Sequence, residues 1–123
     1  MYITIKSLWE RHKNKSLIAR LTGHDWKTVA KRIKEIEDYV SKCGGSFSFW
    51  YVGIAEDPRD RLFNEHNVSE KNDNWIYRPT SSSATARNIE QRFLGLGMDG
   101  GSGGGDYLSK AVYCYKKTYS TNP

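Results

Sequence analysis

Cysteine is scarce in this 123-residue chain: Cys43 and Cys114 stand far apart. No Cys-x-x-Cys pair occurs, and no ligand spacing joins them to His12, His24 or His66, so structural zinc is excluded as the basis of the fold. Two lone thiols fit a reducing cytoplasm. Long apolar runs are missing too, and the opening "MYITIK" has no apolar h-region. The expected location is therefore cytoplasmic, with neither secretion nor a membrane span.

Apolar residues make up 37% of the chain and charged residues 27%, enough for a modest core. Aromatics reach 13%, with four Trp and eight Tyr, so burial has to come largely from rings. Charge is unevenly spread. Residues 1–45 hold ten Lys/Arg against five Asp/Glu, whereas residues 46–123 hold nine against nine. The whole basic excess lies in the first third, which points to a polyanion partner there; a solvated basic helix fits the same count.

Residues 1–42 read as three helices. Ile5, Leu8, Trp9 and His12 share one face of the first. Asn14 or Ser16 caps a second that holds Leu17, Ile18 and Leu21. "TGHD" breaks the run, and Asp25 caps a third helix. There Trp26, Val29, Ile33, Ile36 and Val40 line up as one apolar stripe. Lys27, Lys31 and Lys34 form the stripe beside it, with Thr28 and Arg32 beyond. Ala19, Gly23 and Val29 have the spacing of a helix-turn-helix, with small Ala19 at the crossing and Gly23 in a turn that wants positive φ. The first 37 residues closely resemble the N-terminal helix-turn-helix of bacterial insertion-sequence transposases. That resemblance implies recognition of double-stranded DNA, in a mobile-element or phage-like setting. Trp26, Lys27, Thr28, Lys31, Arg32 and Lys34 would then lie nearest the groove and phosphates. A unit of about 40 residues is marginal alone, so it is expected to pack on the rest of the chain or to form a homodimer.

Residues 43–123 read as a small α/β unit. "CGG" at 43–45 is a turn, and "SFSFWYVGI" has the β-branched and aromatic content of a strand. Asp57 caps a short helix opened by Pro58. "WIYR" is a second strand and "KAVYCYKKT" the last. Between those two, a helix from about Ser83 to Leu96 buries Ala86, Ile89, Phe93 and Leu96. The expected fold is α+β: a three-helix helix-turn-helix, then a three-stranded sheet with helices packed on it. The glycine-rich stretch "GMDGGSGGGDYLSK" lacks the Gly-Lys-Ser/Thr order of a phosphate loop and reads as a surface loop.

"WYVGIAEDPRDRLFNEH" resembles the second motif of the GIY-YIG nuclease superfamily. Tyr51-Val52-Gly53 stands where that family has Tyr-Ile-Gly, Arg61 has the spacing of its helix arginine, and His66 follows. "ATARNIEQRFL" resembles the helix that carries the family's metal-binding glutamate, which makes Glu90 the candidate ligand for Mg²⁺ or Mn²⁺. The family's Gly-Ile-Tyr motif has no copy upstream; Tyr39 is the nearest tyrosine and falls on the third helix. The resemblance implies a GIY-YIG-like domain over 43–123 with Tyr51, Arg61, His66 and Glu90 in a metal-dependent endonuclease site. The chemistry suits those residue types. A guanidinium stabilises charge on the attacked phosphate, a carboxylate holds a hard cation, and a phenol orients or deprotonates water. The alternative is a non-catalytic regulator, such as an inhibitor of a host defence complex. It would bind DNA with the first unit and a protein partner with the second.

Overall fold

The computed structural model describes residues 23–101 and 106–123. The first two expected helices lie outside the described residues. What is described is a mixed α+β structure with a three-stranded antiparallel sheet. Helix α1 (Gly23–Lys42) leads through a 3₁₀ turn (Phe47–Phe49) into β1 (Trp50–Ala55). Helix α2 follows, starting in α geometry (Pro58–Asp60) and continuing as a π-helix (Arg61–Glu65). Strand β2 (Trp75–Pro79), helix α3 (Ser83–Gly95) and strand β3 (Ala111–Lys116) complete it.

The order across the sheet is β1-β3-β2, so the last strand is central. Pairing sets Tyr51 opposite Tyr115 and Gly53 opposite Tyr113; on the far side Trp75 meets Tyr115 and Tyr77 meets Tyr113. Successive strand residues point to opposite faces. One face therefore presents Tyr51, Tyr113, Tyr115, Trp75 and Tyr77, and the other Val52, Ile54, Ile76, Val112 and Cys114.

The aliphatic face is covered by α1 and α3. Val29, Ile36 and Val40 of α1 join Ala86, Ile89 and Phe93 of α3 and the strand residues in one core. Ser82 caps α3, its side chain accepting from the Thr85 N–H at 3.1 Å. Gly44, at φ 70°, ends α1 in the left-handed conformation expected of a helix stop. The stripe read along α1 is thus used, but within the same core as the sheet. α1 also seals the open edge of β2: Tyr39 Oη accepts from the Trp75 N–H (3.1 Å) and Arg32 Nε donates to the Pro79 carbonyl (3.2 Å). Glu35 bridges Arg32 (2.9 Å) and Arg78 (3.0 Å), and these guanidiniums hold its carboxyl below the usual range.

Two local expectations change. Gly23, His24 and Asp25 of "TGHD" are already helical, so these three do not form the expected turn; Thr22 lies outside the described residues. Asp25 lies inside the first turn and accepts from Ser81 Oγ (2.9 Å), a long-range partner that the helix pattern does not reveal. The strand expected over Ser46–Ile54 starts at Trp50, because Phe47–Phe49 forms the 3₁₀ turn.

Candidate phosphate site on the tyrosine face

The corner after β1 is built as read. Asp57 caps α2, accepting from the Asp60 N–H at 3.1 Å, and Pro58 opens it. The helix then widens: the His66 N–H donates to the Arg61 carbonyl at 2.9 Å, an i to i+5 bond. Such π turns are rare and gather at functional sites. This one is bounded by two of the residues singled out in the sequence. It ends where Asn67, at φ 57°, turns the chain back.

His66 is 8% exposed and reaches three partners. Its Nδ1 lies 2.6 Å from the carbonyl oxygen of Asn122. A carbonyl only accepts, so Nδ1 carries the proton. In the neutral ring Nε2 then accepts from the Tyr113 hydroxyl, 2.8 Å away. Tyr115 Oη shares the Nδ1 side at 3.2 Å. The Asn122 N–H returns to the His66 carbonyl at 2.7 Å, which pins the tail to the corner. Tyr51 stacks on Tyr115 (centroids 5.2 Å, planes 22° apart) and packs against His66 (4.6 Å). Tyr113 crosses β1 where there is no side chain: a Cβ on Gly53 would lie 2.5 Å from its hydroxyl oxygen. The glycine of Tyr51-Val52-Gly53 is thereby explained by close approach.

Arg61 connects this cluster to solvent. It lines an open cleft of about 390 Å³ with Glu56, Asp57, Asp60, Asp106 and Ser109. Burial raises the Tyr113 pKa above the ordinary phenol range and the charge of Tyr51 adds to it, while the neighbouring Arg61 guanidinium pulls it back. Tyr51 is also raised, first by burial, with Asp99 and Glu90 adding to the shift; the Gly101 N–H and Arg61 oppose it. Arg61 in addition pairs with Glu65 on its own helix at 3.3 Å.

Glu90 arrives from a different layer. It sits on α3, 3% exposed, with Arg87 Nη1 at 3.6 Å. Burial lifts its pKa to about 7 despite Arg87. Its charge is felt at Cys114 on the aliphatic face and at Tyr51 on the other. It does not line the Arg61 cleft. So Tyr51, Arg61 and His66 meet on one face, and Glu90 acts on that face only through its field.

No protein-family model matches the chain, and neither the curated proteins nor the solved structures hold a match to it.

Tyr113, Tyr115 and Asn122 complete the cluster and were not singled out in the sequence. The alternation in "VYCY" carries the signal for both tyrosines on one face; nothing local carries it for Asn122. Among the six expected DNA contacts, Lys27, Lys31 and Lys34 are exposed along one side of α1, Lys34 pairing with Asp38 at 3.2 Å. Trp26 instead packs against the core, as its place on the apolar stripe requires. Arg32 is committed to the β2 edge and Glu35, and Thr28 is partly buried. Among the described residues no helix is long and apolar enough to cross a membrane, and no three His, Cys, Asp or Glu side chains cluster as a metal site.

Proposed function

We propose that this chain binds DNA through the Lys27, Lys31 and Lys34 side of α1 and holds a phosphodiester at Arg61 for metal-dependent cleavage, in a GIY-YIG-like manner and a mobile-element or phage-type setting. One observation carries the reading. Three residues chosen from separate motif positions meet on one sheet face, and Arg61 alone among them opens onto the cleft.

Arg61 meets the non-bridging oxygens and stabilises the charge that grows there. Tyr113, bonded to His66, stands behind the guanidinium and positions it. Tyr51 keeps 8% exposure against 1% for Tyr113, so it is the phenol that an attacking water reaches. Glu90 would be the carboxylate to hold a hard divalent cation; it lies on α3 outside the Arg61 cleft, so an ion held there would act on the cleft through its field. When bound, Mg²⁺ or Mn²⁺ would neutralise phosphate charge.

Supercoiled-plasmid nicking tests the reading, with Mg²⁺, Mn²⁺ or chelator and wild type beside Glu90→Ala. Metal-dependent nicking lost in the variant supports it. Equal nicking by both proteins, or none with any metal, rejects it.

A second reading has one observation in its favour. The cleft carries four carboxylates, Glu56, Asp57, Asp60 and Asp106, against the single guanidinium of Arg61. A mouth of that sign suits a basic protein partner, and the chain would then act as a DNA-bound regulator without cleavage.

A further inference from the structure

Residues Asp106–Ser109 form a tight turn at the cleft mouth. The Ser109 N–H donates to the Asp106 carbonyl (3.0 Å), the Asp106 N–H to Ser109 Oγ (3.0 Å), and the Leu108 N–H to Asp106 Oδ1 (2.9 Å). The next residue is also fixed, since the Lys110 carbonyl accepts from the Thr80 N–H at 2.8 Å and from Thr80 Oγ1 at 2.6 Å. Both ends of the turn, Asp106 and Ser109, line the cleft with Arg61. Its two central residues do the opposite: Tyr107 is 78% exposed and Leu108 41%. A hydrogen-bonded turn that leaves a phenol ring in water, between two cleft-lining residues, gains little folding energy from that ring. The exposed Lys110 ammonium follows directly.

We propose that Tyr107 is a base-stacking residue: its ring takes an unpaired base of the DNA strand whose phosphate sits at Arg61, with Lys110 contacting the neighbouring backbone. This rests on the phosphate-holding reading of the cleft. A duplex hides its base faces, whereas a single strand or a flipped nucleotide offers one to a protruding ring. Stacking of this kind is sequence-tolerant, so the expected ligand is single-stranded DNA with little base preference. The turn is short and internally bonded, so binding has little backbone to order and mainly the rotamer of the exposed ring to fix.

The experiment uses the full chain in chelator, so cleavage plays no part. A single-stranded oligonucleotide carrying 2-aminopurine and its matched duplex are titrated with wild type, Tyr107→Ala and Tyr107→Trp. Wild type and Tyr107→Trp should quench the single-stranded probe. Tyr107→Ala should lose the quench and about ten-fold in affinity. The duplex probe should stay unquenched throughout. Tyr107 is exposed, so Tyr107→Ala should melt with the wild type, and Tyr107→Trp restores the ring. Unchanged quenching and affinity in Tyr107→Ala, or equal quenching of the duplex, overturn the stacking role while leaving phosphate binding intact. Failure of every protein to bind either DNA overturns the stacking role and the phosphate-holding reading together.

Discussion

The two faces of one sheet are built from different chemistry. Beneath it, aliphatic strand residues meet α1 and α3 in a core that includes Val52, Ile54, Ile76 and Val112. Above it, tyrosines and a histidine bond to one another under α2, Val68 and the segment that carries Asn122. Filling the lower face is mainly close-packing, although α3 also buries Thr85, Asn88, Glu90 and Arg92. On the upper face every buried hydroxyl and ring nitrogen must find a partner, so its geometry is specified more tightly than its stability requires. Stability should therefore be lost from below and function from above.

The largest test of that division is Phe93→Ala. Phe93 is fully buried in the lower core, so its truncation should cost about 3–5 kcal/mol in urea unfolding. A loss under 1 kcal/mol would show that the helical layer is not the stabilising one.

Glu90→Gln probes the polar group buried beside that core. The Glu90 pKa is raised from 4.5 to about 7 in the fold. A carboxyl raised on folding stabilises fully below its unfolded value, and that contribution is lost as pH rises through the folded one. Wild type should therefore lose on the order of 2–3 kcal/mol relative to Glu90→Gln between pH 4.5 and 8. Parallel stability-pH curves for the two proteins would contradict the burial of that charge.

Gly53→Ala sharpens the comparison at the upper face. The new methyl collides with the Tyr113 ring, so overpacking should cost about 1–3 kcal/mol. The near-UV tyrosine signal should change while far-UV helicity is kept. An unaltered aromatic signal would mean that Tyr113 does not lie across β1.

Smallest is Glu65→Ala. Its pair with Arg61 is partly exposed, with 35% and 54% of the side chains accessible. Stability should move by less than about 1 kcal/mol, while the released guanidinium should bind inorganic phosphate more tightly. Weaker phosphate binding would show that Glu65 positions Arg61 and does not compete for it.

Much of this was legible in the chain. Asp57-Pro58 and Ser82 mark helix starts by local chemistry, and the structure has both. The apolar stripes of α1 and α3 and the three strands also follow from period and composition. Strand order was not legible, because β3 is central through pairing with both β1 and β2 across more than 30 residues, which no local pattern encodes. Arg32 and Trp26 misled for a related reason. Each obeys helical spacing, but the β2 edge and the shared core decide which side of α1 is free. Tyr51, Arg61 and His66, which lie on one face of the sheet, were singled out together by their spacing. The carbonyl of Asn122 was not, since any residue supplies one. Glu90 was singled out in the sequence, but its layer in the fold was not legible there.

Arg61→Ala tests the central claim most directly, by single-turnover nicking of plasmid DNA beside thermal melting. Arg61 lines the cleft and is not part of either core. The rate should fall about 10²- to 10³-fold with little change in melting. Wild-type nicking by Arg61→Ala would contradict a phosphate held at this guanidinium.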